Sequence, residues 1–206
     1  NYFVGGVPVL EIRNWQELTV TGNTLAGAAG TLVRLEDPSL VTDASWDGNT
    51  YYVDADIPEP FQYLDDTKID FATWQSVTGY DANSTYIPSL PTEPRIFVRP
   101  NRYEPGRGHI SVYNWDLQDR VAVDVSSILN IGDVYQVQDA QHFFGEPVAA
   151  GIYDGSPLVL PMTLTQKTQL FGEVTHFDRH EGHTAPEFAV FVVLPDTSIP
   201  PDPPDY

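Results

Sequence analysis

Eighteen prolines and fifteen glycines interrupt this sequence at short intervals, and β-branched and aromatic residues fill the runs between them. Proline removes a backbone donor and clashes with the preceding helical turn, and glycine is the costliest residue to order, so long helices are excluded. Short strands joined by turns are what remain. The expected fold is all-β, with a helical share below ~15%, well under the ordinary one. The 206 residues suit one large β domain or two small ones. Hydrophobic residues at 41% and aromatics at 12% supply a core, and no run approaches the ~18 apolar residues of a membrane span.

The first third alternates short apolar runs with turns rich in Asn and Gly: residues 7–12, 14–25 and 30–35. Leu18-Thr19-Val20 followed by Gly22-Asn23 is the most telling unit. Two alternating apolar residues enter an interior, and an asparagine at the bend can bond backbone or stack in a ladder. That pattern predicts stacked parallel coils, with an antiparallel meander as the plainer alternative. Residues 87–94 carry Pro88, Pro91 and Pro94, which prevents regular strand pairing and marks a boundary near residue 92. Beyond it, six strands are expected at 95–99, 109–114, 121–125, 134–138, 158–162 and 188–194, at the spacing of an antiparallel sandwich. The last is apolar at successive positions, as suits a central strand covered on both faces. One helical turn is expected over 126–132, ended by Gly132. The organisation is thus the last coils of a parallel β-helix over 1–92, an antiparallel β-sandwich over 93–196 and a proline-rich extended tail over 197–206.

Lysine and arginine total 10 against 29 acidic residues, a formal charge of −19. Phosphate backbones are repelled at long range by such a chain, so nucleic acid is not an expected partner. Lys68 and Lys167 are the only lysines. An acidic excess of this kind suits either simple solubility or a medium where salt or calcium screens the repulsion. Cysteine is absent, so neither a disulfide nor a thiolate metal site forms. The chain begins Asn1-Tyr2-Phe3-Val4, without an initiator Met or a signal-peptide pattern, and is expected to be a processed product or a piece of something longer.

Two stretches carry a resemblance. Trp74, Gln75, Thr78, Gly79, Asp81 and Ser84 fit the form Trp-Gln-x-x-Thr-Gly-x-Asp-x-x-Ser, which resembles the closing element of secreted right-handed parallel β-helix proteins of the pectate-lyase-like type. The Asn49-Thr50-Tyr51-Tyr52 stretch is similar to the strand that precedes it there. Residues 112–116, 121–126, 132–140, 144–148, 151–155 and 160–162 look like the C-terminal β-sandwich appended to many secreted glycan-active enzymes. The resemblance implies an extracellular or cell-surface protein in a polysaccharide-processing context. It also implies that a catalytic surface would lie in coils this chain lacks.

Several residue groups are candidates for chemistry. His176, Asp178 and His180 alternate and would share one face of a strand, with His183 close by, a spacing that could ligate zinc or copper; a polar hairpin loop is the plainer reading. Asp43 and Asp47 supply hard oxygen ligands for Ca2+ at turns, without an EF-hand or nonapeptide pattern; exposed turn carboxylates are the plainer reading. Asp65, Asp66, Asp70 and Asp81 are raw material for the paired carboxylates of glycoside hydrolysis, although a chain with 29 acids will always place some side by side. Arg95, Arg99, Arg102 and Arg107 lie close together, as partners for carboxylates or as a site for uronates. Trp46, Tyr51, Tyr52 and Tyr103 could stack on sugar rings or serve in the core. No nucleophile motif, phosphate loop or complete metal signature accompanies them.

The leading expectation is the non-catalytic C-terminal portion of a secreted polysaccharide-processing β-helix protein, stabilising the helix end or binding carbohydrate through Trp46, Tyr103, Arg102 and Arg107. Its partners would be polysaccharide or upstream coils of the same precursor. A structural or adhesive surface subunit, and a metal-dependent enzyme built on the 176–183 cluster, are the alternatives.

Overall fold

The computed structural model describes residues 1–27, 29–64, 67–168 and 182–196. The tail at 197–206 lies outside them. The fold is all-β, 41% strand and 8% helix, with both parallel and antiparallel sheets. The chain forms two compact units, Asn1–Pro91 and Thr92–Tyr206. Among the described residues no helix is long and apolar enough to cross a membrane.

In the first unit the chain makes successive similar passes. The first pass contributes β1 (Tyr2–Val4), β2 (Leu10–Ile12) and β3 (Glu17–Thr21), and the second β4 (Thr24–Gly27), β5 (Val33–Leu35) and β6 (Asp43–Asp47). The third begins with β7 (Thr50–Val53) and β8 (Phe61–Tyr63), then reverses through β9 (Thr67–Ile69) into α1 (Phe71–Thr78) and returns as β10 (Thr85–Ile87). The first two passes each add one strand to each of three sheets and the third adds two to each of the first two, in the orders β1-β4-β7-β10, β2-β5-β8-β9 and β3-β6. All pairings are parallel except β8 with β9. The parallel register favours in-line stacking of like residues: Phe3, Leu25, Tyr51 and Tyr86 sit at matching positions, as do Val20 and Trp46.

Alternation sets which residues face in. Leu18 and Val20 of β3 are buried while Glu17, Thr19 and Thr21 are exposed. The interior holds Leu25, Val33, Leu35, Trp46, Tyr51, Val53, Phe61 and Trp74. Aromatic rings fill it toward the third pass: Phe61 stacks on Trp74 at 5.2 Å, Tyr51 meets Phe61 edge-on at 5.2 Å, and Phe71 stacks on Tyr86 at 5.4 Å.

The helix α1 starts where Asp70 accepts a hydrogen bond from the Thr73 amide at 2.7 Å, and it stops at Gly79, whose φ of 72° is left-handed. Such a helix was not expected from so punctuated a sequence, although its start and stop signals, Asp70 and Gly79, are both present. The turn over 126–132 stays a hydrogen-bonded turn rather than a helix: Ile128 and Leu129 both donate to the Val125 carbonyl, and Gly132 has φ 95°.

The second unit has β11 (Arg95–Pro100), β12 (Gly108–Tyr113), β13 (Arg120–Val123), β14 (Val134–Asp139), β15 (Ala149–Ile152), β16 (Leu158–Pro161) and β17 (Phe188–Pro195). A five-stranded antiparallel sheet runs β11-β12-β17-β14-β15, and β13 pairs with β16. The continuous apolar run of β17 is indeed central, with Phe191 and Val193 fully buried and Val192 buried on the opposite face. Ile110, Val112, Val137, Phe191 and Val193 from the larger sheet share one apolar cluster with Val121, Val123 and Leu160 from the smaller.

Candidate functional site

Polar groups in the first unit converge on one buried carboxylate. Asp81, fully buried with φ 59°, follows α1 in the turn that leads to β10. It accepts from Trp74 Nε1 at 2.8 Å, the Tyr51 hydroxyl at 2.9 Å, Ser84 Oγ at 2.6 Å and Asn49 Nδ2 at 3.1 Å. Tyr51 in turn accepts from Trp46 Nε1 at 3.0 Å. Burial, and then the Asp81 charge, push the Tyr51 phenol well above its ordinary range. The main chain is tied in as well: Asp81 N donates to Trp46 O at 2.8 Å, and Gln75 Nε2 donates to Asp81 O at 2.6 Å. Thr78 Oγ1 donates to Trp74 O at 2.6 Å and accepts from Tyr80 N at 3.1 Å. Trp74, Gln75, Thr78, Asp81 and Ser84 of the pattern therefore take part in this one knot, and Gly79 ends the helix beside it.

The asparagines form a chain leading into it. Asn1 Nδ2 donates to Asn23 Oδ1 at 3.1 Å, and Asn23 N and Nδ2 donate to Asn49 Oδ1 at 2.9 and 3.2 Å. Asn49 Nδ2 then donates to Asp81. Of the two roles open to Asn23, backbone partner or ladder, it takes the ladder, spaced at 22 and then 26 residues. A second stack lies outside: Arg34 bonds Gln62 at 2.8 Å and Glu11 at 2.9 Å, and Arg13 bonds Glu11 and Glu36 at 2.5 and 3.2 Å. The hydrogen bond from Arg13 is the main cause that holds the Glu11 carboxyl below its usual range.

The loop 101–107 between β11 and β12 gathers three of the four residues expected to bind sugar. Asn101 Oδ1 accepts from the amides of Tyr103 at 2.8 Å and Glu104 at 3.1 Å, which folds the loop tightly. Tyr103 is 87% exposed at its tip. The Arg102 guanidinium lies 5.8 Å from the Tyr103 ring centre, and Arg107 pairs with Glu104 at 2.9 Å. One ring face and one guanidinium are thereby offered together, a pairing suited to a sugar that carries a carboxylate. Arg95 stands over Phe97 at 5.3 Å.

The fourth, Trp46, is elsewhere. It is 3% exposed, stacked on Tyr80 at 5.5 Å and edge-on to Trp74 at 5.4 Å, so its faces are already taken by protein. Tyr51 is likewise internal. Asp43 and Asp47 cannot share a calcium ion, because they stand at opposite ends of β6, ~13 Å apart by strand rise. Asp47 is instead engaged by Asn83, whose amide nitrogen and Nδ2 both donate at 2.7 Å; these bonds lower its pKa, the side-chain bond most. Among the described residues no three His, Asp or Glu side chains gather as metal ligands.

His176, Asp178 and His180, and likewise Asp65 and Asp66, lie outside the described residues. His183 offers no lone pair to a metal: its Nδ1 accepts from the Ala185 amide at 2.9 Å and its Nε2 faces Asp139 Oδ2 at 3.0 Å, both side chains deeply buried. This His–Asp pair was not anticipated, because 44 residues separate the two. Asp70 is a helix cap and Asp81 a saturated acceptor, so neither is placed for acid–base work on a substrate. Phe144, 89% exposed and edge-on to Phe143 at 5.3 Å, is an apolar surface that the sequence reading passed over; two phenylalanines running into a Gly-Glu-Pro turn were the available signal.

Compared with family models, curated proteins and solved structures, this chain matches none.

Proposed function

We propose that this chain is the C-terminal, non-catalytic portion of a secreted polysaccharide-processing protein, the last coils and closing element of a parallel β-helix followed by an antiparallel β-sandwich. The observation that carries the reading is the knot at Asp81. A buried carboxylate with four side-chain donors is costly unless it serves a defined end, and here it ties α1, β6, β7 and the turn before β10 together where the parallel passes stop. That is what a closing element must do. The remaining parts of the reading, carbohydrate as ligand and an extracellular or cell-surface location, draw support from the resemblance and from the loop 101–107.

On this reading the loop binds glycan weakly, since an open surface buries little of a sugar. Tyr103 stacks, and Arg102 adds affinity for uronates. Arg107 is held by Glu104 and contributes less. Calorimetry with neutral and uronic-acid oligosaccharides tests this: Tyr103→Ala abolishes both, Arg102→Ala weakens only the acidic ligand, and salt weakens only that ligand too. Binding that survives Tyr103→Ala unchanged sinks the assignment. A structural or adhesive subunit is the second reading, favoured by the edge strands β1, β2 and β3, which begin their sheets.

A further inference from the structure

Asn83 stands apart from the other asparagines of the chain. Of the eight, it alone is followed two places on by Ser or Thr, in Asn83-Ser84-Thr85. That is the Asn-x-Ser/Thr form which N-linked glycosylation requires, with a residue other than proline in the middle. Three residues match such a form readily by chance, so position must decide whether it is usable.

The position is favourable. Asn23, Asn49 and Asn114 are buried, whereas Asn83 is exposed in the turn that the Ser84 amide closes on the Asp81 carbonyl at 3.1 Å. Thr85, whose hydroxyl the transferring enzyme must read, is exposed as well, at the first position of β10. Beside the turn the surface is open: a Cβ built on Gly48 meets nothing within 4 Å. The buried bonds to the Asp81 carboxylate come from Trp74, Tyr51, Ser84 and Asn49, so the knot does not depend on Asn83. Asn83 spends its donors at the surface, its main-chain amide on Asp47 Oδ1 and its Nδ2 on Asp47 Oδ2, each at 2.7 Å.

We propose that Asn83 accepts an N-linked glycan when the chain passes through a secretory route. The donor is an oligosaccharide carried on a polyprenyl diphosphate. Asn83 Nδ2 bonds to C1 of the sugar, the C1–O bond breaks, the polyprenyl diphosphate leaves with the electron pair, and one Nδ2 proton passes to a base of the oligosaccharyltransferase. In the folded chain Nδ2 is engaged by Asp47, so transfer precedes the closing of this turn. Afterwards one hydrogen remains on Nδ2, and the Asn83 main-chain amide still holds Asp47 Oδ1, so the turn keeps its anchor. The proposal rests on the extracellular part of the proposed function and on neither the coils nor the sugar-binding loop.

The test adds a secretory leader to the chain in a eukaryotic cell and reads the intact mass of all the chain recovered from cells and medium. One glycan is expected, removed by peptide-N-glycosidase, with a peptide map locating at position 83 the aspartate which that enzyme leaves. Asn83→Gln and Thr85→Ala each abolish it. Ser84→Ala removes a bond to Asp81 but leaves the acceptor form intact, and its chain still carries the glycan, which separates loss of the form from loss of the fold. An unmodified parent mass, a glycan that persists in Thr85→Ala, or one lost in Ser84→Ala overturns the proposal. Because the leader is supplied, that failure leaves the calorimetric test of sugar binding untouched, and a failed calorimetric test leaves this one untouched.

Discussion

At the scale of single residues, the largest effect belongs to Asp81. Removing its carboxylate strands the Trp74, Tyr51 and Ser84 donors at a buried site, so Asp81→Ala costs about 3–5 kcal/mol. Asp81→Asn keeps the shape but turns one acceptor into a donor facing other donors, and costs less. Denaturant titration monitored by tryptophan fluorescence reads both, because Trp46 and Trp74 lie in the same cluster. Asp47 provides a pH test. Its bonds to Asn83 depress its folded pKa, so its contribution is present above the unfolded value near ~4 and is lost as pH falls through the lower folded value. The thermal midpoint of the parent should drop more steeply below pH ~4 than that of Asn83→Ala; parallel curves would show that the pair carries no such linkage.

At the scale of elements, α1 is held by its ends. Asp70→Ala removes the cap on Thr73 and costs about 1 kcal/mol. Gly79→Ala places a Cβ at φ 72° with open space around it, so the cost is the backbone's alone, again about 1 kcal/mol. The two positions share no partner and their effects should add, which a double variant in the same titration checks. In the second unit the central strand dominates: Phe191→Ala opens a cavity in a fully buried position and costs about 3–5 kcal/mol. All six strands expected from alternation in that half formed, in the expected places. The one missed, β15, reads Ala149-Ala150-Gly151-Ile152, small residues that pair with β14 at an edge and carry no alternation to see.

At the scale of the whole molecule, a net charge of −19 opposes compaction through self-repulsion. Added salt screens that repulsion more strongly than it weakens the few surface ion pairs, among them Arg107–Glu104. The midpoint should therefore rise between low salt and ~0.5 M sodium chloride, where the Debye length falls below ~5 Å. A fall on adding salt would mean that the attractive pairs outweigh the excess of like charge.

Proline and glycine spacing and alternation were enough to determine an all-β chain and its apolar face, because these are local properties that backbone geometry enforces wherever the chain goes; the Gly22-Asn23 turn left open whether Asn23 would bond backbone or stack in a ladder. Tertiary structure alone decided the site. Trp46 has the composition of a sugar platform, yet parallel register stacks it beneath Val20 and hands its ring nitrogen to Tyr51. Tyr103 has the same chemistry and stays outside, 87% exposed in the loop that Asn101 folds between β11 and β12. His183 became a buried partner of Asp139 rather than a ligand, since β14 and the segment before β17 are brought together only by the antiparallel pairing of those strands. Which aromatic faces water and which histidine finds a carboxylate depend on strand register between residues far apart in the chain, and no local pattern encodes that.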